Sequence, residues 1–409
     1  VSRVNLSDCK KQKKILLLEG IHPKAQERLV DAGYLVDVDK AALQDKELIK
    51  KAQGYNVLGI RSKTKLTSSV IKELPELELI GCFCIGTDQV DLVTARELGV
   101  PTFNAPYANT RSVAELIIAE IIALSRNLAD RSMQMHRGVW RKSAMGANEV
   151  RGKTLGIVGY GHIGSQVSVL AEALGLKVRF FDIVKKLPLG NAQVSPSLED
   201  LLKNSDFVTL HVPDTQQTKN MITKNELSLM KKGAYLLNAS RGQVVDIKAL
   251  SEALRTQHIG GAAIDVYPAE PDGNSDEFKS ELQELENVIL TPHIGGSTEE
   301  AQEAIGLEVA DSFIRHLKWG NTAGAVNFPQ IEVGDPNGYT RIINVHYNVP
   351  GVLGAINGIF SAEKVNVVAQ HLATDAKIGY LIMDIEVKDT FKVAKAISEL
   401  KTSIRTSYI

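Results

Sequence analysis

Cysteine is scarce in this chain. Three occur among 409 residues, Cys9, Cys82 and Cys84, which excludes a disulfide framework. An excess of charge of one sign is also missing: 47 Lys and Arg face 48 Asp and Glu, a net charge of −1. No global field therefore draws in nucleic acid or an anionic membrane, and neither is expected as a partner. Long apolar runs are absent too, none approaching the roughly 18 residues needed to span a bilayer. The polar, lysine-rich residues 1–14 lack the apolar stretch of a secretory leader, so a cytoplasmic location is expected. No repeat or low-complexity segment is visible. Cys82 and Cys84 sit two apart in the apolar run Leu79-Ile-Gly-Cys-Phe-Cys-Ile85, which puts both on one strand face. They read as buried structural residues. A redox or metal pair would need further ligands, which are not evident nearby, and no metal site is expected.

What is present begins with Leu155-Gly-Ile-Val-Gly-Tyr-Gly-His-Ile-Gly164, a strand, a tight glycine turn and a helix start. Gly159 permits the turn, Gly161 lets backbone N–H groups approach a pyrophosphate, and Gly164 lets the helix pack on the strand. Asp182 closes the next apolar run, Lys177-Val-Arg-Phe-Phe-Asp182, eighteen residues past the last glycine. An acid at that distance accepts from ribose hydroxyls and repels a 2′-phosphate, so the pattern points to NAD rather than NADP. The plainer alternative is a glycine turn that only allows close packing.

The first hundred residues alternate apolar runs (14–18, 57–60, 79–84) with helical patterns near 22–33, 45–52, 67–73 and 88–98, the signature of βαβ units. An apolar-rich helix follows from Ser112 to about Asn127, with Asn109 or Thr110 as candidate cap. A second βα series has strands at 154–158, 177–182, 206–210, 234–238, 261–265 and 287–290. A helix then starts at Ser297 and runs to about Trp319. Only the middle block carries the phosphate fingerprint, so it reads as a nucleotide domain (109–297) inserted into a discontinuous domain (1–108 and 298–333). The chain would cross near Asn104–Arg111 and Gly295–Thr298, with Gly295-Gly296 suited to a hinge. Gly334-Asp-Pro-Asn-Gly338 reads as a linker, and 339–409 as a separate unit in the order βαββαβ, the ferredoxin-like plan.

Three polar residues follow later strands of the middle block: Arg241, Glu270 and His293. Ligand sites in parallel sheets form outside the carboxyl ends of the strands, so the three can converge. A hydride leaving a carbinol carbon needs a base for the hydroxyl proton, and imidazole titrates near neutrality. A carboxylate beside it would orient the ring and raise its pKa, and an arginine fork suits a carboxylate or a polarised carbonyl. Taken singly, each has a bland reading: a surface or core histidine, a loop acid, a salt-bridge arginine. A second, cationic set comprises Arg61-Ser62-Lys63 after the strand at 57–60, Lys40 after a short strand near 35–38, and Lys142. Together these would hold an anionic substrate tail such as a phosphate. Singly, they are solvated charges.

These motifs together resemble the D-2-hydroxyacid dehydrogenases, most closely the members that end in an amino-acid-binding ACT domain. The resemblance covers nearly the whole chain. It is carried by Ile80-Gly-Cys-Phe-Cys-Ile-Gly-Thr87, Asn104-Ala-Pro, Asn109-Thr-Arg-Ser-Val-Ala-Glu115, His136-Arg-Gly-Val-Trp140, the glycine turn, His211-Val-Pro213, Asn238-Ala-Ser-Arg-Gly242 and Thr291-Pro-His-Ile-Gly-Gly-Ser297. It implies an α/β fold of two doubly wound parallel-sheet domains, a flavodoxin-like substrate domain and a Rossmann NAD domain, plus the ferredoxin-like ACT domain. It assigns catalysis to Arg241, Glu270 and His293. NAD contacts fall on the glycine turn, His162, Ile163, Asp182, His211, Ala239, Ser240, Arg241, Asp265, His293, Gly295 and Gly296. Substrate contacts fall on Lys40, Arg61, Ser62, Lys63, Asn109 and Lys142, the last across a subunit interface. The members this chain most resembles carry arginine where it has Lys63; lysine keeps the charge but lacks the bidentate fork, so a weaker or altered phosphate affinity is expected.

The same resemblance, through Asn344-Val-His-Tyr-Asn-Val-Pro-Gly-Val-Leu353 and Val365-Asn366, places an L-serine effector on His346, Asn348 and Asn366 between two subunits. A homotetramer is the family expectation. Relatives often have paired glycines where this linker has Asn337-Gly338. The implied activity is NAD-dependent oxidation of D-3-phosphoglycerate to 3-phosphohydroxypyruvate, feedback-inhibited by L-serine. The rivals are an NADH-sensing, corepressor-like binding protein and a dehydrogenase of another 2-hydroxy acid such as 2-hydroxyglutarate.

Overall fold

The computed structural model describes residues 12–271, 277–387 and 389–409; Cys9 and most of the polar opening lie outside them. The chain divides into two compact units, Val1–Ala108 with Gln302–Ile409, and Asn109–Ala301.

In the first unit, β1 (Lys14–Leu17), β2 (Leu35–Val38), β3 (Val57–Ile60), β4 (Leu79–Cys82) and β5 (Thr102–Asn104) form a parallel sheet in the order β2-β1-β3-β4-β5. That is the flavodoxin-like order. Its central strands are covered on both faces, so they read as continuous apolar runs rather than alternating ones. The long helix Glu299–Trp319 lays Phe313 edge-on against Phe83, with ring centroids 5.9 Å apart. The strand at 79–84 is shorter than its apolar run suggests and ends at Cys82. Cys82 is buried in the sheet, whereas the Cys84 thiol lies in the following loop, against the Gly86 carbonyl. The two therefore do not share a strand face.

The second unit holds β6 (Thr154–Val158), β7 (Lys177–Phe181), β8 (Gln193–Val194), β9 (Phe207–Leu210), β10 (Ala234–Asn238), β11 (Ile259–Ile264) and β12 (Val288–Leu290). All pair in parallel in the order β12-β11-β10-β9-β6-β7-β8. The strand order reverses between β6 and β9, where dinucleotides bind in this architecture. The helix Thr110–Ser125 buries Val113, Ile117, Ile121 and Leu124 against Leu155, Ile157, Leu237 and Ala263. Asn109 occupies its cap position, but its side chain makes no capping bond.

Strands β13 (Thr340–Tyr347), β14 (Asn366–Thr374), β15 (Ile378–Glu386) and β16 (Ser403–Tyr408) form an antiparallel sheet in the order β14-β15-β13-β16. With helices Val352–Ala362 and Thr390–Ser398 this completes the βαββαβ plan. The terminal domain does not form a separate unit. One face of its sheet (Ile342, Leu381, Met383, Ile385) meets its own helices. The other (Ile343, Val345, Tyr380, Ile382) shares a core with Phe313, Phe328 and Ile331. Polar ties reinforce the junction. Arg405 donates to the Gly99 and Leu77 carbonyls at 3.3 and 2.9 Å, and Tyr380 Oη to the Gly320 carbonyl at 2.7 Å. Buried Arg341 forms a two-pronged pair with Asp384 at 2.6 and 2.8 Å and donates to the Trp319 and Gly334 carbonyls. The two Arg405 bonds join residues more than 300 positions apart, beyond what a linker composition conveys.

Removing Asp384 strands a buried guanidinium charge. Asp384→Ala is expected to cost about 3–5 kcal/mol, read as a lowered urea midpoint; an unchanged midpoint would contradict the burial of this pair.

Candidate active site

The glycine turn follows β6 directly. Gly159 has φ +91°, and a Cβ there would lie 2.3 Å from the His211 carbonyl oxygen; one on Gly164 would lie 2.2 Å from the Gly159 carbonyl oxygen. Gly161 meets nothing within 4 Å on its Cβ side. Gly159 and Gly164 are thus required by packing, and Gly161 leaves space open at the start of the helix His162–Ala173. Gly161 caps that helix and offers no side-chain acceptor, so the helix N-terminus suits an anionic phosphate. His162 and Ile163 form its first turn.

Asp182 follows β7. It accepts from the Tyr160 amide at 2.8 Å and from the Val184 amide at 2.8 Å, tying the turn to the neighbouring strand end. A carboxylate has about four acceptor positions, so capacity for ribose hydroxyls remains. His211 follows β9. Its Nε2 lies 3.0 Å from Thr209 Oγ1, while its enclosed Nδ1 has no partner among the described residues. Burial lowers its pKa to about 4, so the ring is neutral at pH 7. These features fit a dinucleotide: open space at the turn, an uncapped helix start and an orphaned ring nitrogen.

Arg241 follows β10. The Asn238 side chain fixes its loop, Oδ1 accepting from Ser240 N and Oγ at 3.1 and 2.8 Å and Nδ2 donating to the Arg241 carbonyl at 3.0 Å. Arg241 Nη1 donates to the Ser240 carbonyl at 2.8 Å. Ala239 lies in the same short loop. A Cβ on Gly242 would lie 2.0 Å from the Tyr267 carbonyl, so the Arg241 loop and the segment leading to Glu270 are in backbone contact.

Asp265 follows β11 and is 1% exposed. Its Oδ1 accepts from Thr291 Oγ1 at 2.6 Å and Ile294 N at 2.8 Å, and its Oδ2 from Gly295 N at 2.8 Å. It thereby holds the loop after β12 on both sides of His293. Tyr267 Oη adds bonds to the Ile264 and Thr291 carbonyls at 2.9 and 3.0 Å. His293 takes φ +54°, a conformation that non-glycine residues keep where their surroundings enforce it. Its Nδ1 lies 2.8 Å from Glu270 Oε2, and Glu270 Oε1 accepts from the Tyr267 amide at 3.1 Å. The bond from Glu270 raises the His293 pKa, against the lowering effect of burial. Burial pushes Glu270 upward, but the His293 bond and charge, the Tyr267 amide and Arg241 bring it below the ordinary carboxylate value.

Two residues in this unit escaped the sequence reading or changed meaning. Glu120, on the helix Thr110–Ser125, is 4% exposed, and neither carboxyl oxygen has a hydrogen-bond partner among the described residues. Burial, then the Asp265 charge, raises its pKa to about 8, so it carries a proton at neutrality. The available signal was an acid inside the apolar run Leu116-Ile-Ile-Ala-Glu-Ile-Ile-Ala-Leu124. Asn109 lies against Gly296, where a Cβ would approach its Nδ2 to 2.3 Å, and its enclosed Oδ1 has no partner among the described residues. Lys142 stands exposed on an irregular segment and makes no bond to the other candidate residues of this unit.

In the first unit, Arg61, Ser62 and Lys63 follow β3 and Lys40 follows β2, with Ser62, Lys63 and Lys40 exposed. In the terminal sheet, His346 pairs with Gly379 of β15, whereas Asn366 pairs with Glu386. Those partners are seven positions apart along one strand, roughly 24 Å at about 3.4 Å per residue. One chain therefore does not bring Asn366 to His346 and Asn348. His346 is buried with Nε2 unpartnered among the described residues, and Asn348 Nδ2 donates to the Asp375 carbonyl at 2.7 Å.

Comparison with known proteins agrees with this architecture. The D-isomer specific 2-hydroxyacid dehydrogenase NAD-binding domain matches residues 118–295, and the AHAS small subunit-like ACT domain matches residues 342–405. The chain is 54% identical over 393 residues to the D-3-phosphoglycerate dehydrogenase of Dictyostelium discoideum, covering 96% of each. It is 53% identical over 389 residues to that of Escherichia coli strain K12, covering 95% of this chain and 94% of the relative. Among solved structures, the D-lactate dehydrogenase of Aquifex aeolicus complexed with NAD and lactic acid superposes with a TM-score of 0.68 at 30% identity, over 77% of this chain and 100% of that one.

The Glu270–His293 bond sets the imidazole's titration. In Glu270→Gln the His293 pKa is expected to fall back toward the ordinary value of about 6.5, measured by NMR of histidine-labelled protein; an unmoved pKa would show that Glu270 does not tune the ring.

Proposed function

We infer the reaction from the family to which this chain belongs, the D-isomer specific 2-hydroxyacid dehydrogenases: NAD-dependent oxidation of D-3-phosphoglycerate to 3-phosphohydroxypyruvate, the first step of L-serine synthesis. The observation that carries it is the His293–Glu270 pair at 2.8 Å beside the Arg241 loop, in a chain 54% identical to a D-3-phosphoglycerate dehydrogenase over nearly its full length. Bound NAD would supply the hydride acceptor, with the glycine turn and the start of the helix His162–Ala173 holding its phosphates and Asp182 its ribose.

His293 donates Nδ1–H to Glu270, which leaves the Nε2 lone pair as the base. As the carbinol C–H bond breaks, the hydroxyl proton moves to Nε2 and the carbon becomes a ketone. In reduction the imidazolium returns that proton, and the Glu270 bond that raises its pKa favours this protonated form. Arg241 spends one N–H on the Ser240 carbonyl and keeps others for the substrate carboxylate or keto oxygen. The cationic set Arg61, Ser62, Lys63 and Lys40 suits the phosphate. The intact Arg241, Glu270 and His293 set favours catalysis over a sensor without turnover.

The terminal domain is read as an L-serine site completed by a second copy of the chain. The support is the separation of Asn366 from His346 along β15 and the orphaned His346 Nε2. Self-association also has support in the second unit. The helix Leu128–His136 has no buried residue; it carries the exposed Met135, and the exposed apolar side chains of Trp140 (78% exposed) and Met145 follow it in sequence. A homotetramer and a cytoplasmic setting complete this reading. No helix among the described residues is long and apolar enough to cross a membrane.

The test is NADH oxidation with 3-phosphohydroxypyruvate, with and without millimolar L-serine. Turnover suppressed by serine supports both the chemistry and the effector site. Turnover indifferent to serine removes His346, Asn348 and Asn366 as effector contacts, and NADH binding without turnover overturns the enzyme reading. His293→Ala should lose roughly 10²–10⁴-fold in turnover while still binding NADH; near-normal turnover would remove its assigned role.

A further inference from the structure

The residue that organises the cationic loop is an acid that the reaction does not use. β1 runs out at Leu17, and the chain then places Glu19 and Gly20 in succession at φ +60°. Glycine adopts this region freely, whereas a glutamate does so where its surroundings enforce it. The bonds of this turn give the reason. The Glu19 and Gly20 amides donate to the Ala41 and Asp39 carbonyls at 3.2 and 3.3 Å, on either side of Lys40. The half-buried Glu19 carboxylate reaches in the other direction. Its Oε1 accepts from Arg61 N at 3.0 Å and Thr64 N at 2.9 Å, and its Oε2 from Lys63 N at 3.0 Å.

Two glutamines finish the frame. Gln44 donates to the Lys63 carbonyl at 2.6 Å and accepts from Lys65 N at 3.2 Å, and Gln89 donates to the Arg61 carbonyl at 2.7 Å. The backbone of residues 61–65 is therefore tied down except at Ser62. Its N–H and hydroxyl make no hydrogen bond to the described residues, and its side chain is exposed beside that of Lys63. One carboxylate drawing the amides of residues 61, 63 and 64 to one side leaves the amide of residue 62 with no partner on that side. A free N–H, a hydroxyl, a guanidinium and an ammonium on a braced loop are the donors a phosphate dianion takes.

We propose that Glu19 is the positioning residue of the substrate's phosphate site, joining the Lys40 segment to the Arg61-Ser62-Lys63 loop and fixing the loop with its Ser62 N–H free. The inference rests on the reading above that this loop takes the phosphate. Bracing matters here because the Lys63 ammonium is a point charge without a bidentate fork and contributes little orientation of its own.

The experiment compares 3-phosphohydroxypyruvate with hydroxypyruvate, which lacks the phosphate, at saturating NADH, in the wild type, Glu19→Gln and Glu19→Asp. Glutamine keeps one acceptor but turns an NH₂ on a backbone N–H; aspartate keeps the charge but is too short for three amides. Both variants are expected to raise KM for 3-phosphohydroxypyruvate about tenfold, the scale of one charge-assisted hydrogen bond. Their kcat should stay within about threefold, and KM for hydroxypyruvate should hardly move. Inorganic phosphate should weaken as a competitive inhibitor in parallel. A wild type that does not prefer the phosphorylated substrate overturns the reading of the loop, and the proposal with it. A wild-type preference that both variants keep at unchanged KM overturns Glu19 alone. A loss shared equally by both substrates, or a fall in kcat with a lowered melting temperature, makes Glu19 a structural brace and likewise overturns the proposal.

Discussion

The grip of the Asp265 carboxylate on the Thr291–Gly295 loop is the interaction on which the placement of His293 against Glu270 depends. Asp265 sits buried at the end of β11, and three donors from that loop satisfy its two oxygens. The bonds lie on both sides of His293 and hold that residue in a left-handed conformation. The ring then meets Glu270, which itself descends from the end of β11. A buried anion is costly unless fully bonded, so the loop cannot leave Asp265 without exposing that cost. The acidic surroundings extend this logic to Glu120, which keeps a proton because it is buried and because Asp265 already holds the local negative charge. The hydrogen-bonded His293–Glu270 pair is half-exposed and belongs to the proposed chemistry, while the buried Asp265 carboxylate holds the loop.

The same device recurs in the first unit. There the Glu19 carboxylate collects three backbone amides from the loop after β3, as Asp265 collects two amides and a hydroxyl from the loop after β12. In both places an acid just past one strand braces the loop past another strand and leaves the cationic or titrating side chain to act outward. Loops beyond the carboxyl ends of parallel strands are irregular and need such anchors, since no ladder satisfies their backbone groups.

Much of this was legible in the residues. The glycine turn, the acid at the end of β7 and the sequence of strand-end residues Arg241, Glu270 and His293 each follow from local chemistry with fixed spacing. The βαββαβ order of the last seventy residues follows from periodicity. What escaped has one physical character: it is made between residues distant in sequence. Thr291 reaches Asp265 across 26 positions, and Arg405 reaches Gly99 across 306. The terminal sheet reads as independent because one of its faces is matched to its own helices. Its other face is just as apolar, but what it would bury against was not visible. Asn109 occupies the cap position expected of it yet makes no side-chain capping bond, and Cys84 leaves the strand that its apolar neighbours suggested.

The most direct measurement is amide hydrogen exchange at Ile294 and Gly295, in the wild type and in Asp265→Asn. Both amides end on the Asp265 carboxylate, so the account predicts slow exchange in the wild type and much faster exchange in the variant, with the amides of β10 and β11 unchanged. Equal exchange at the two positions in both proteins would contradict it, because the loop that carries His293 would then be held by something other than Asp265.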